Sequence, residues 1–218
     1  MPAGKGKRDA TRHGATPSRV IIDACVWHGA FVRHVLRHLA LEGLFEPRWT
    51  ALIESEWIQS VHRARPQISA DRLVEVRDRF RAEFPDGLLP VRLPRRKLPP
   101  LPDPNDAHVV EAAQECEADA ECEADAICTL DDRGFPGPIM LSLGIEIVSP
   151  DELVSRLIAR EPARGHRAPH THRIALRSPP MSAEEYQIAF RRAGMHRSAD
   201  DLAERRDTPR VNTRPRRK

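Results

Sequence analysis

Apolar residues along this chain fall into two periods that alternate: short β-branched runs and longer stretches with helical spacing. The run Val20-Ile21-Ile22 closes on Asp23 and predicts a strand over 19–23. Phe31, Val32, Val35, Leu36 and Leu39 share one face of a helix over 31–43. A second helix is predicted from Thr50 to about His62, and a third from the N-cap Ser69 to Phe84, where Pro85 stops it. Residues 85–102 hold six prolines and no period. Asp103-Pro104-Asn105-Asp106 opens a fourth helix: an acid at the cap, Pro at the first helical position, and another acid three residues after the cap. A strand over 126–130, a Gly/Pro loop over 133–138, a strand over 144–148 and a helix over 151–159 follow. Strands alternating with helices predict a three-layer α/β/α fold around a central parallel sheet.

Past residue 160 the pattern weakens. Residues 161–173 are basic, contain His and show no period, so 156–175 reads as a linker. Ser182-Ala183-Glu184-Glu185 is a capping box, and Gly194 closes that helix. Ser198-Ala199-Asp200-Asp201 predicts a cap for the next one. The organisation expected is a basic disordered segment over 1–18, an α/β domain over 19–155, a helical annex over 176–206, and a basic disordered tail over 207–218. A DNA-binding helix–turn–helix shares the annex pattern, but a docked helical appendage fits it better. Glu115-Cys116-Glu117-Ala118-Asp119-Ala120 repeats as residues 121–126. Six residues are not whole turns at about 3.6 residues each, so the copies cannot present one face, and one copy is expected to be looped out or to extend the helix.

Charged residues make up 31% of the 218 and mean hydropathy is −0.53, which places the chain among water-soluble proteins with no membrane span. Cys25, Cys116, Cys122 and Cys128 form no CxxC pair, and the cytoplasm is the expected compartment. Net charge is only +3, but basic residues gather at both ends and at Arg92, Arg95, Arg96 and Lys97, just before Asp103. Basic flanks around an acidic centre suit a polyanion whose phosphates approach metal ions.

The acidic centre is Asp23, Glu56, Asp103, Asp106 and Asp131, with Asp132 adjacent. In open α/β sheets ligands bind outside the carboxyl ends of the strands, where Asp23 and Asp131 fall. Such a cluster repels itself unless a hard divalent cation sits among the charges. Oxygen ligands without His or Cys select Mg²⁺ or Mn²⁺, whose coordinated water has a lowered pKa and attacks a phosphodiester in line. Each acid also has a plainer reading. Asp103 serves equally as a helix cap, Asp106 as its partner, Glu56 as a solvated helix acid, and Asp131 and Asp132 as turn residues. Asp23 is hardest to explain away, because an acid ending an apolar strand is costly without a partner. Thr129 offers a hydroxyl in support. His34 and His38 have the spacing of a zinc-protease helix but lack its Glu, and no GxGxxG, Walker loop or GxSxG is present.

The order VIIDACVW, then Trp49-Thr50 through Glu56-Trp57, LPDPNDAHVVEAA, Ile127 to Asp131, Phe135-Pro136 and GIEIVSPDEL resembles PIN-domain ribonucleases, most of all the bacterial toxin branch of toxin–antitoxin pairs. The resemblance covers about residues 19–155, and Arg177 to Tyr186 is similar to a C-terminal helical extension of some members. It implies endonucleolytic RNA cleavage with Mg²⁺ or Mn²⁺, with Asp23, Asp106 and Asp131 as metal ligands. It implies Glu56 as the catalytic helix acid (Glu54 is the competing choice) and Asp103, Thr129 and Asp132 as support. A cognate antitoxin and a homodimer are the expected partners. Many relatives carry Asp directly before Phe-Pro, where this chain has Gly134. That departure and the duplication leave a silent RNA-binding protein as the alternative, beside an RNA-processing nuclease without an antitoxin.

Overall fold

The computed structural model describes residues 18–90, 98–115 and 124–204. The basic loop 92–97, most of the tandem repeat and both basic ends lie outside the described residues. The elements are β1 (Arg19–Ile22), α1 (Ala24–His28), α2 (Ala30–Leu41), β2 (Glu46–Arg48), α3 (Ala51–Ala64), α4 (Ala70–Glu83), α5 (Ala107–Glu115), β3 (Ala126–Cys128), α6 (Gly137–Leu143), β4 (Glu146–Val148), α7 (Pro150–Arg160), α8 (Pro162–Ala175), α9 (Ala183–Arg192) and α10 (His196–Glu204). A single 3-10 turn, Pro104–Asp106, leads into α5.

The four strands form one parallel sheet in the order β2-β1-β3-β4, flanked by helices, in the three-layer architecture the alternation predicted. Ile21 pairs with Arg48 on one side and with Ile127 on the other, and Ile127 pairs with Ile147. Val20, Ile21, Ala126 and Ile127 are wholly buried, as expected of strands covered on both faces. Because β1 and β3 are adjacent and parallel, their carboxyl ends open side by side. Every acid that follows either strand is delivered to the same edge of the sheet.

Four local expectations were corrected. The strand β2 was not anticipated, since Glu46-Pro47-Arg48 has no β pattern; it is an edge strand, where a sheet tolerates Pro. The Gly/Pro loop ends at Pro136, two residues earlier than expected, and gives way to an unanticipated α6, which begins at Gly137-Pro138 and closes on Gly144 in the left-handed region (φ 71°).

Residues 161–173 are not an irregular linker: 162–175 is the helix α8. Its buried face is Gly165, Ala168, Pro169 and His172, which carries no recognisable apolar stripe. Gly165 matters there, because a Cβ would lie 2.6 Å from the Cα of Ile158. The small face lets α8 lie tightly on α7 and on α2, and tertiary packing forms a helix that propensity alone would not.

Ser198 does not cap α10; it lies inside it, fully buried. The cap is supplied from α7, where Asp151 accepts from the backbone N of Arg197 (3.0 Å) and Ser198 (2.8 Å) and from the Ser198 hydroxyl (2.7 Å). The Ser182 capping box forms as expected.

Candidate functional site

The site starts at Asp23. The strand β1 ends one residue before it, and Asp23 caps α1, with Oδ1 accepting from the Ala24 N (2.6 Å). Its Oδ2 accepts from the Thr129 hydroxyl (2.8 Å) and the Cys25 thiol (3.1 Å). Asp23 is 8% exposed, and these donors are what make an acid tolerable there. Thr129 Oγ1 also accepts from the Asp131 N (3.0 Å), so one buried hydroxyl ties Asp23 to the segment carrying Asp131. Cys25 Sγ accepts in turn from the Leu130 N (3.2 Å). Burial first, and then Asp23, push the Cys25 thiol up to about 11. The thiol therefore stays protonated and serves as a donor.

Asp106 enters from the turn before α5. Asp103 caps that turn, its Oδ1 accepting from the Asn105 N (2.8 Å). The Asp106 carboxyl is raised to about 6, mainly by burial and then by the charges of Asp103, Asp23 and Asp131, against an opposing effect of His108. Asp103, Asp23 and Asp131 thus lie near enough for their charges to reach Asp106, around the mouth at the carboxyl ends of β1 and β3, but not at ligand spacing. Gly134, the departure noted in the sequence, is what admits Asp106. A Cβ at 134 would stand 2.1 Å from Asp106 Oδ2. The glycine leaves room for the carboxylate rather than merely removing an acid. Nothing near Gly134 in the sequence signals this, because the contact is with a residue on another element.

The two helix acids of α3 separate cleanly. Glu54 is 4% exposed, accepts from Trp49 Nε1 (2.8 Å) and from Arg81 Nε (2.9 Å), and pairs again with Arg81 through its other oxygen. It is locked in the core. Glu56 faces outward and pairs with His108 Nε2 at 2.9 Å, which brings it beside the start of α5. Asp131 and Asp132 are exposed in the turn after β3, where Asp131 Oδ1 accepts from the Arg133 N (3.1 Å) and the Asp132 carbonyl from the Phe135 N (3.2 Å). Sequence reasoning missed Cys25 as a partner of Asp23 and His108 as a partner of Glu56. His34 and His38 pack against His172 at ring-centroid distances of 5.9 and 4.9 Å, away from the acids.

Among the described residues no three His, Cys, Asp or Glu side chains converge at ligand spacing. The donor chemistry nonetheless fits a hydrated divalent cation. Mg²⁺ keeps several waters and takes only one or two carboxylates directly, and at Asp106 the repulsion of Asp103, Asp23 and Asp131, which acts after burial, is what such an ion would relieve. No helix among the described residues is long and apolar enough to cross a membrane.

No curated protein and no solved structure matches the chain. Residues 150–204, which run from α7 through α10, match the family model of the VapC50 C-terminal domain.

Proposed function

We propose that this protein is a Mg²⁺- or Mn²⁺-dependent endoribonuclease, the toxin of a toxin–antitoxin pair. The observation that supports the reading is that Asp23 and Asp131 follow two adjacent parallel strands, with Asp106 near enough for both charges to reach it. The match of residues 150–204 to a VapC50 domain supports the toxin class, and a cognate antitoxin is then the expected partner. Asp23, Asp106 and Asp131 are the residues that would hold the cation, with Asp103 and Asp132 as flanking acids. The cation supplies a Lewis acid for the scissile phosphate. Thr129 and Cys25 fix the Asp23 carboxylate. Glu56, paired with His108 at the start of α5, would orient an attacking water. Arg92, Arg95, Arg96 and Lys97 precede Asp103 in the sequence and would grip the RNA backbone, with an affinity that falls as salt rises.

The test is cleavage of a labelled RNA by the full chain. Turnover is expected with Mg²⁺ or Mn²⁺, is lost with EDTA, and falls by about three orders of magnitude or more in Asp23→Asn and Asp106→Asn, as expected when a charge-stabilising group is removed. Equal turnover by Asp23→Asn overturns the assignment. Salt-sensitive RNA binding without turnover at any divalent ion would establish the silent alternative. Growth arrest on expression, relieved by the protein encoded beside it, is the expected cellular outcome.

A further inference from the structure

We infer that His108 is a positioning residue, which presents Glu56 of α3 to the acid mouth. This rests on the nuclease reading above and adds a residue to it. The two side chains come from different helices and meet at 2.9 Å between His108 Nε2 and Glu56 Oε1. Glu56 is an acceptor only, so Nε2 is the donor, and it can donate in either protonation form of the ring. The contact is therefore a fixed strut.

Three observations separate this strut from an ordinary surface pair. The first is exposure: the His108 side chain is 18% exposed and that of Glu56 is 37% exposed, so a mostly enclosed ring holds a half-open carboxylate. The second is that His108 Nδ1 is sealed and has no partner among the described residues. A ring placed only for packing has no reason to carry an orphaned polar atom, and an apolar residue would fill the space without that cost. The third is location. His108 lies two residues after Asp106, close enough for its charge to act on Asp106. The bond therefore ties a carboxylate on α3 to the start of α5, two residues from Asp106.

Glu54 gives the contrast. It sits two residues earlier on the same helix, and Trp49 and Arg81 occupy both of its oxygens. Glu56 has Oε2 without a partner among the described residues. One oxygen is held and the other keeps its acceptor capacity, which is the arrangement required to orient a water or an ion. Without His108, Glu56 is an ordinary long side chain on a helix surface, free among its rotamers.

The experiment is a double-mutant cycle on the full chain with His108→Ala, Glu56→Gln and the pair. It is read by Mn²⁺ titration of the metal-free protein and by kcat and KM for RNA cleavage. His108→Ala is expected to weaken Mn²⁺ binding and lower kcat by about tenfold each, the usual range for a residue that orients a ligand from behind. KM should stay within about threefold, and in the Glu56→Gln background the same change should add no more than about twofold, because two residues acting as one unit are not additive. His108→Gln, whose amide still donates, should recover most of the loss. Thermal unfolding of each variant separates these effects from misfolding, with His108→Gln as the folded control. Additive losses in the cycle, or a His108→Ala protein that binds Mn²⁺ and cleaves RNA like the parent, overturn the inference while the nuclease reading stands. A parent protein that neither binds Mn²⁺ nor cleaves RNA overturns both.

Discussion

Two residues outside the acid set, Gly134 and Thr129, shape the surroundings of Asp106 and Asp23. Gly134 leaves space for Asp106, since a Cβ there would meet Asp106 Oδ2 at 2.1 Å. The carboxylate is the mobile end of a side chain, so Gly134→Ala should displace it rather than unfold the protein. RNA cleavage is expected to drop by about tenfold or more, as when a positioning contact is lost, with a stability change within about 1 kcal/mol. Unchanged cleavage would mean that Asp106 acts from a different rotamer. Thr129 serves Asp23 and the Asp131 backbone with one hydroxyl. Thr129→Val keeps the shape and removes the donor. It leaves a buried carboxylate one bond short, at a cost of about 1–3 kcal/mol in denaturant unfolding, while Thr129→Ser should retain most of the stability. At this scale the sequence was legible where a residue's role follows from its own strand or helix. Asp23, at the end of an apolar strand, announced itself, as did Asp103-Pro104-Asn105-Asp106. Gly134 and His108 draw their roles from partners far along the chain, Cys25 links neighbouring Asp23 to distant Leu130, and no local pattern carries that information.

Helices and strands were readable from the sequence where their buried faces are large and apolar. The strand Val20-Ile21-Ile22 and α2, with Val32, Val35, Leu36 and Leu39 buried, stood where the periodicity put them. The element α8 was not readable, because Gly165, Ala168, Pro169 and His172 make a close-fitting face without an apolar signal. Similarly, α10 carries Ser198 in its first turn, yet its N-terminus is satisfied by Asp151 reaching across from α7. A carboxylate there both caps the free N–H groups and meets the positive end of the helix dipole. Asp151→Ala should therefore destabilise the protein by about 1–2 kcal/mol in denaturant unfolding. Asp200→Ala, which removes only an exposed pair with Arg191, should cost well under about 1 kcal/mol. Equal effects of the two changes would show that the cross-helix cap contributes nothing.

The segment matching the VapC50 domain is joined to the sheet domain as one packed unit. The helix α8 lies on α2, and Phe31 of α2 meets Tyr186 and Phe190 of α9 at ring-centroid distances of 5.4 and 5.2 Å. The seam also holds three histidines: His34 and His38 from α2, and His172 from α8, which shares a 2.7 Å hydrogen bond with the Tyr186 hydroxyl. Burial pushes His34 down to about 4 and His172 to about 3, and lowers His38. The cations facing them, Arg33, Arg37 and Arg79, act in the same direction, and Glu83 opposes them at His38. Folded values below that of a free imidazole mean that the unfolded chain takes up protons first. The stability of the seam is thus complete above about pH 6.5 and is lost as pH falls toward the folded values. For His172, which is 3% exposed, the loss between pH 6.5 and pH 5 is on the order of 2 kcal/mol. Denaturant unfolding at pH 7 and pH 5 should show a clear fall in the parent protein and a smaller one in His172→Leu, which removes the titrating ring while leaving an apolar side chain to pack on Phe31. An identical fall in both proteins would place the acid sensitivity elsewhere, and the annex would then be held to α2 by its aromatic contacts without a titrating component.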